Sequence, residues 1–280
     1  MSQIQKIIKY LAIAFALFLT VSIISTIMYG FSFIGNIFND DNKSINEKLT
    51  DLKIEDNTLL LDIDVINNNI AIKRGEIFKA ETNNKYIKTK QVNNKLFITE
   101  EKHNWFKNNN YELIVYVPDE FIFDGISIET GSGKLNVEKL ITKKLYLNLG
   151  AGKVDINNLK VLENADIDGG AGKIDINASA INNLDLDMGV GEFSLISKLT
   201  GKNEIDSGIG KLNLTLLGNK DDYQITLDKG IGSSTIDGKN INDDNTYGIG
   251  NNKLDIDGGI GSIQIKFEKW KYKKVEKWKI

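Results

Sequence analysis

The chain has 280 residues, 41% hydrophobic and 26% charged, with a formal net charge of −3, 25 glycines, one proline and no cysteine. That balance excludes wholesale disorder and supplies no bulk charge for a nucleic-acid partner. Without cysteine there are no disulfides, thiolate metal sites or thiol nucleophiles, and a single histidine (His103) and a single arginine (Arg74) leave little for imidazole or guanidinium chemistry.

Residues 1–9 form a short flank. From Tyr10 to Phe38 no residue is charged, a run of 29, where roughly 20 suffice to cross a bilayer. The run is too long for a secretory core and no Ala-x-Ala-like site follows it, so it predicts a single transmembrane helix, an uncleaved signal anchor. Lys6 and Lys9 before it and Lys43, Lys48 and Lys53 after it nearly balance. Long domains translocate largely regardless of such charges, and the expected arrangement is a single-pass cell-membrane protein with its C-terminal body extracellular. Residues 39–57, rich in Asn, Asp and Lys, read as a polar stalk.

The body spans 58–267. Period-2 stretches at Leu59–Val65, Ile70–Ile72, Lys95–Thr99 and Glu112–Val117 predict strands, the last closed by Pro118. His103-Asn104-Trp105-Phe106 falls in the loop before it. Regular coils are expected from residue 125, where Gly-x-Gly recurs at Gly131, Gly150, Gly170, Gly189, Gly208, Gly230 and Gly259. Three residues before each corner stand Ile128, Leu147, Ile167, Leu186, Ile205, Leu227 and Ile256. Two after it stand Leu135, Val154, Ile174, Phe193, Leu212, Ser234 and Ile263, with Ser234 the one polar member. Gly248 fails this pattern, so 238–252 reads as a loop insertion.

Strands alternate their side chains between two faces. The apolar columns therefore point inward, and one coil cannot bury them alone; stacked coils can. The expected architecture is an all-β, parallel β-solenoid. An antiparallel sandwich is the alternative, which the constant period of about 20 residues disfavours.

The run YELIVYVPDEFIFDGISIETGSGKLNVEKL, followed by LNLGAGKVDI and IDGGAGKIDI, resembles the bacterial putative-adhesin domain of LiaG-like proteins, a β-strand-repeat domain of unknown function. The resemblance covers roughly Asp56 to Phe267. It implies a right-handed β-helix-like fold in a membrane-tethered or secreted protein and offers no catalytic residues. It also implies two roles, surface adhesion or an accessory part in envelope-stress signalling.

Motifs for chemistry are few. Gly152-Lys153 lacks the first glycine and the helix of a phosphate loop. Gly169-Gly170-Ala171-Gly172-Lys173-Ile174-Asp175 places its Asp one residue late for the calcium-binding nonapeptide, which sends it to the opposite strand face. Two residues before successive corners, Asp168, Asp187 and Asp206 form an outward ladder, read as a solvated column or as a weak Ca²⁺ site. A glycan-cleaving β-helix would need converging carboxylates, and no position stands out, so no catalytic residue and no cofactor are assigned. The segment 268–280 is basic and aromatic, with Trp270, Tyr272 and Trp278. It reads as a capping strand or as a contact with anionic lipid or wall polymer. The expected role is non-catalytic binding or scaffolding at a bacterial surface, with the membrane (through 10–38), a cell-wall polymer, an anionic lipid or a surface protein as partners and no nucleic acid.

Overall fold

The computed structural model of the chain describes residues 48–55, 57–101, 111–241 and 245–269. The uncharged run 10–38, most of the stalk, the His103 loop and the aromatic tail from Trp270 lie outside the described residues. Among the described residues no helix is long and apolar enough to cross a membrane.

Six short strands come first: β1 (Thr50–Asp51), β2 (Leu60–Asn67), β3 (Asn69–Arg74), β4 (Lys79–Thr82), β5 (Ile87–Val92) and β6 (Lys95–Glu100). β7 (Glu112–Val117) precedes five long ones: β8 (Phe123–Val137), β9 (Leu140–Asn157), β10 (Leu159–Asn182), β11 (Leu184–Thr200) and β12 (Lys202–Leu217). The chain closes with β13 (Tyr223–Asp228), β14 (Ile231–Ile236), β15 (Lys239–Asn240), β16 (Asn245–Tyr247) and β17 (Asn252–Glu268). The long strands bend at their Gly-x-Gly corners, where the register skips the first glycine and resumes beyond it, so each is a coil rather than one straight strand.

Parallel registers join β8 to β9, β9 to β10, β10 to β11 and β11 to β12, with corner glycine opposite corner glycine. An antiparallel sandwich is thereby excluded. The inward column of the parallel stack runs unbroken through Ile98, Ile63, Ile128, Leu147, Ile167, Leu186, Ile205, Ile256 and Leu227. Every member is at most 1% exposed. Each such side chain contributes about 2 kcal/mol on removal from water.

Stacking does not follow chain order, which corrects the expected succession of seven corners. β12 pairs with β17, not with β13; β13 and β14 pair with the far side of β17. The corner at Gly259 therefore sits between those at Gly208 and Gly230. An inner layer must bury apolar columns against neighbours on both sides, and β17 supplies them without a break. The segment containing Ser234 is interrupted and takes the end position, where one neighbour suffices.

The start is built the same way. β2 and β3 stack on β8, so coils begin at residue 60 rather than at 125. β6 and β7 then lie outside β2 and β3. Both outer layers carry antiparallel strands: β5 on β6 and β4 on β7 at one end, with β1 on β4. At the other end β15 lies on β14 and β16 on β13. Residues 238–252, expected as a loop insertion, thus supply edge strands, and β1 falls within the range expected as stalk. Ending the stack in short antiparallel strands blunts the open edges that would otherwise recruit other chains.

The inverted order can be checked with paired cysteines, since the chain has none of its own. Lys211 and Ser262 are register partners, whereas Ser233 lies one layer further out on Ser262. Adjacent layers stand about 4.8 Å apart, within disulfide reach, and two layers do not. Lys211→Cys with Ser262→Cys is expected to crosslink on oxidation, and Lys211→Cys with Ser233→Cys to stay reduced. The reverse, read on non-reducing gels, would restore chain-order stacking.

Candidate binding face

Each coil turns at its Gly-x-Gly corner, where successive backbones come closer than side chains allow. A Cβ on Gly172 would lie 1.9 Å from the Gly152 carbonyl oxygen. The middle residue of the motif points outward. In spatial order this column reads Asn67, Ser132, Ala151, Ala171, Val190, Ile209, Ile260 and Ile231. Its small members leave a shallow apolar hollow beside Leu149, Met188 and Glu192.

The strand segment before the corner carries the acidic face. Asp168, Asp187 and Asp206 are consecutive register partners, continued by Asp257 and then Asp228. Two residues earlier a second column holds Asp166, Asp185, Glu204 and Asp255. On β9 the corresponding positions are Tyr146 and Asn148, and the Tyr146 hydroxyl lies 3.5 Å from Asp168 Oδ2. The expected ladder is thus one edge of a two-column carboxylate lattice. Among the described residues, no group of three or more acidic or histidine side chains converges to hold a metal ion.

Crowding shows in the protonation of the lattice. Partial burial, then Asp187, its hydrogen bond, and finally Asp257 and Glu204 push the Asp206 carboxyl above the usual carboxylate range. Asp166 is raised by burial, then by Asp168, Asp185 and Asp187. A folded-state pKa above the unfolded value means the folded chain holds these protons more tightly. Their contribution is therefore full below the unfolded pKa of about 4 and is lost as pH rises through the raised value. Asp206→Asn is expected to stabilise the body at pH 7 by about 0.5 kcal/mol, the size of one cross-strand like-charge contact. Thermal melts of both proteins across pH should show that gain shrinking as pH falls through the raised value and vanishing only below the unfolded pKa of about 4.

Other features are unreadable or only half readable in the sequence. Ser234 faces the core, 3% exposed, and its hydroxyl has no hydrogen-bond partner among the described residues. Ser234→Ala is expected to stabilise by about 1 kcal/mol, raising the melting midpoint by about 3 °C. The isoleucines at 209, 260 and 231 are visible in the sequence only when the middle residues of the corners are tabulated in spatial order. Trp270, Tyr272, Trp278 and His103 lie outside the described residues.

A stack of parallel coils with glycine corners, capped by antiparallel strands and faced with charge, defines a parallel β-repeat domain as a class. The family model described as Toastrack DUF4097 matches residues 60–266, and the chain belongs to that family. Two crystal structures are similar. One is of a putative cell adhesion protein from Clostridium sporogenes, at 18% identity and TM-score 0.37, covering 79% of this chain and 99% of that one. The other is of a putative adhesin from Bacteroides fragilis, at 14% identity and TM-score 0.37, covering 80% and 100%. No curated protein matches the chain.

Proposed function

We propose that this is a single-pass membrane protein whose right-handed coil stack stands outside the cell and binds or scaffolds without catalysis. The observation that carries the reading is the in-register outer face. Asp166, Asp185, Glu204 and Asp255 beside Asp168, Asp187, Asp206 and Asp257 present one chemistry repeated layer after layer. Such a face suits an extended partner, a wall polymer or another surface protein, because every layer offers the same contact at the same spacing. Anchoring is supported by the 29 uncharged residues from Tyr10 to Phe38, long enough to span a bilayer.

Protease shaving of intact cells tests the placement. The body is expected to be released while the N-terminal segment stays with the membrane; full protection of the body on intact cells, with cleavage after lysis, would overturn it. Binding is tested separately by sedimentation with purified cell walls, where charge-reversed lattice variants are expected to alter retention and unchanged retention counts against the face.

A further inference from the structure

The middle residues of four successive corners, Val190, Ile209, Ile260 and Ile231, are register partners. The three isoleucines are 40%, 52% and 71% exposed, and with the half-buried Val190 they form an apolar strip along the corner edge. Folding does not require such bulk, since Ser132, Ala151 and Ala171 fill the same column in earlier layers. A contiguous apolar strip that the fold does not use marks a surface for a partner.

Charge selects the partner. Three residues before each member of the strip stands a carboxylate, Asp187, Asp206, Asp257 or Asp228, and these four are register partners as well. Asp185, Glu204 and Asp255 extend the negative charge on that side. On the other side Glu192 and Lys211 offset one another, followed by Ser262 and Ser233. The complement is a segment with an apolar stripe and, on one flank of it, a cationic stripe. Layer spacing selects its conformation, because adjacent layers stand about 4.8 Å apart. Along an α-helix one stripe returns about every 5.4 Å, a drift of about 2 Å over the three steps of this strip. Along an extended chain one face returns about every 6.7 Å, a drift of about 6 Å, more than a whole layer.

We propose that the strip docks a cationic amphipathic helix of another polypeptide, one helical turn to each layer. Its apolar stripe sits on Val190, Ile209, Ile260 and Ile231, and its lysines or arginines lie over Asp187, Asp206, Asp257 and Asp228. This deepens the binding role proposed above and rests on it, but not on where the body stands relative to the membrane.

The probe is a fluorescein-labelled, alanine-based peptide of about 18 residues, long enough to hold a helix in water. It carries leucine once per turn on one stripe and lysine on the neighbouring stripe. Titrated with the full chain in uncharged detergent, with micelles alone as the blank, it is expected to show saturable anisotropy that weakens with salt. A shuffled peptide of the same composition should bind at least about tenfold more weakly. Ile260→Ala with Ile231→Ala, which install the residue found at Ala151 and Ala171, should weaken the striped peptide by at least about tenfold. Asp206→Asn with Asp257→Asn should weaken it several-fold and flatten its salt dependence. That pair leaves the strip intact, which keeps the test valid if the alanine variants misfold. No binding, or equal binding of the shuffled peptide, would overturn the proposal. So would tighter binding of an alternating lysine–valine strand peptide, which would make the partner extended. A peptide-free dimer that Ile260→Ala with Ile231→Ala dissociates in sedimentation would give the strip to a second copy and overturn it too. Cell-wall retention that responds to lattice charge while the helical peptide fails to bind would remove the helix and leave the binding role standing.

Discussion

Gly210→Ala is expected to cost at least about 4 kcal/mol, a large share of the roughly 5–15 kcal/mol that holds an ordinary domain folded. At φ +143° an alanine there is strained before any neighbour is considered. The larger penalty is steric: the added Cβ would sit 1.8 Å from the Gly191 carbonyl oxygen and 2.8 Å from its carbonyl carbon. Both atoms are backbone, so relief requires two layers to separate. Separation would open the parallel register on either side, where β12 is held between β11 and β17.

Gly169→Ala is the matched control. Its Cβ would meet the Ile174 side-chain tip at 3.2 Å, which a small rotation relieves, and the expected loss is below about 1 kcal/mol. Urea unfolding of the two variants should therefore differ by several kcal/mol although both make the same substitution two coils apart. Equal midpoints would mean that the corners are looser than their stacking requires.

These two glycines also mark what was legible in the sequence. The corners and the apolar columns could be read because each coil repeats one local requirement: close backbone approach at Gly210, burial at Ile205 and Leu212. Layer order could not, because the apolar columns of β17 fit against β12 as well as those of 223–236 would, and nothing local says which comes next. The unpartnered Ser234 hydroxyl was visible as the break in its column, although its consequence for stacking was not. Asp168, Asp187 and Asp206 were legible as a ladder since β10, β11 and β12 do stack in chain order. Their extension to Asp257 before Asp228 depends on the inversion. At the other end the coil of β2 and β3 escaped notice because its corner, Ile66-Asn67-Asn68, has no glycine.

That glycine-free corner carries the second large prediction, and it turns on Glu100. One side of the corner is tightly stacked: a Cβ on Gly133 would lie 2.2 Å from the Asn68 carbonyl oxygen. On the other side β6 ends at Glu100, and its carboxylate takes the place of a further corner. Glu100 Oε2 accepts from the Ile66 N–H at 2.7 Å, the Asn67 N–H at 3.3 Å and Asn68 Nδ2 at 2.9 Å. Oε1 accepts from Asn84 Nδ2 at 3.0 Å, and Asn84 Nδ2 also donates to Asn68 Oδ1 at 3.1 Å. Asn68 and Asn84 are each 1% exposed. Removing the carboxylate strands several donors where water does not reach freely, each costing about 1–3 kcal/mol. Glu100→Ala is expected to lose about 3 kcal/mol in total, since partial rearrangement recovers some of the bonds. Glu100→Gln keeps one acceptor but turns an N–H₂ toward other donors, so it should recover less than half of that loss. Hydrogen exchange separates this role from general packing. The Ile66 and Asn67 amides should be protected in the parent and exchange fast in Glu100→Ala, while the Ile205 amide stays protected; uniform loss of protection would assign Glu100 to the core at large instead of to this corner.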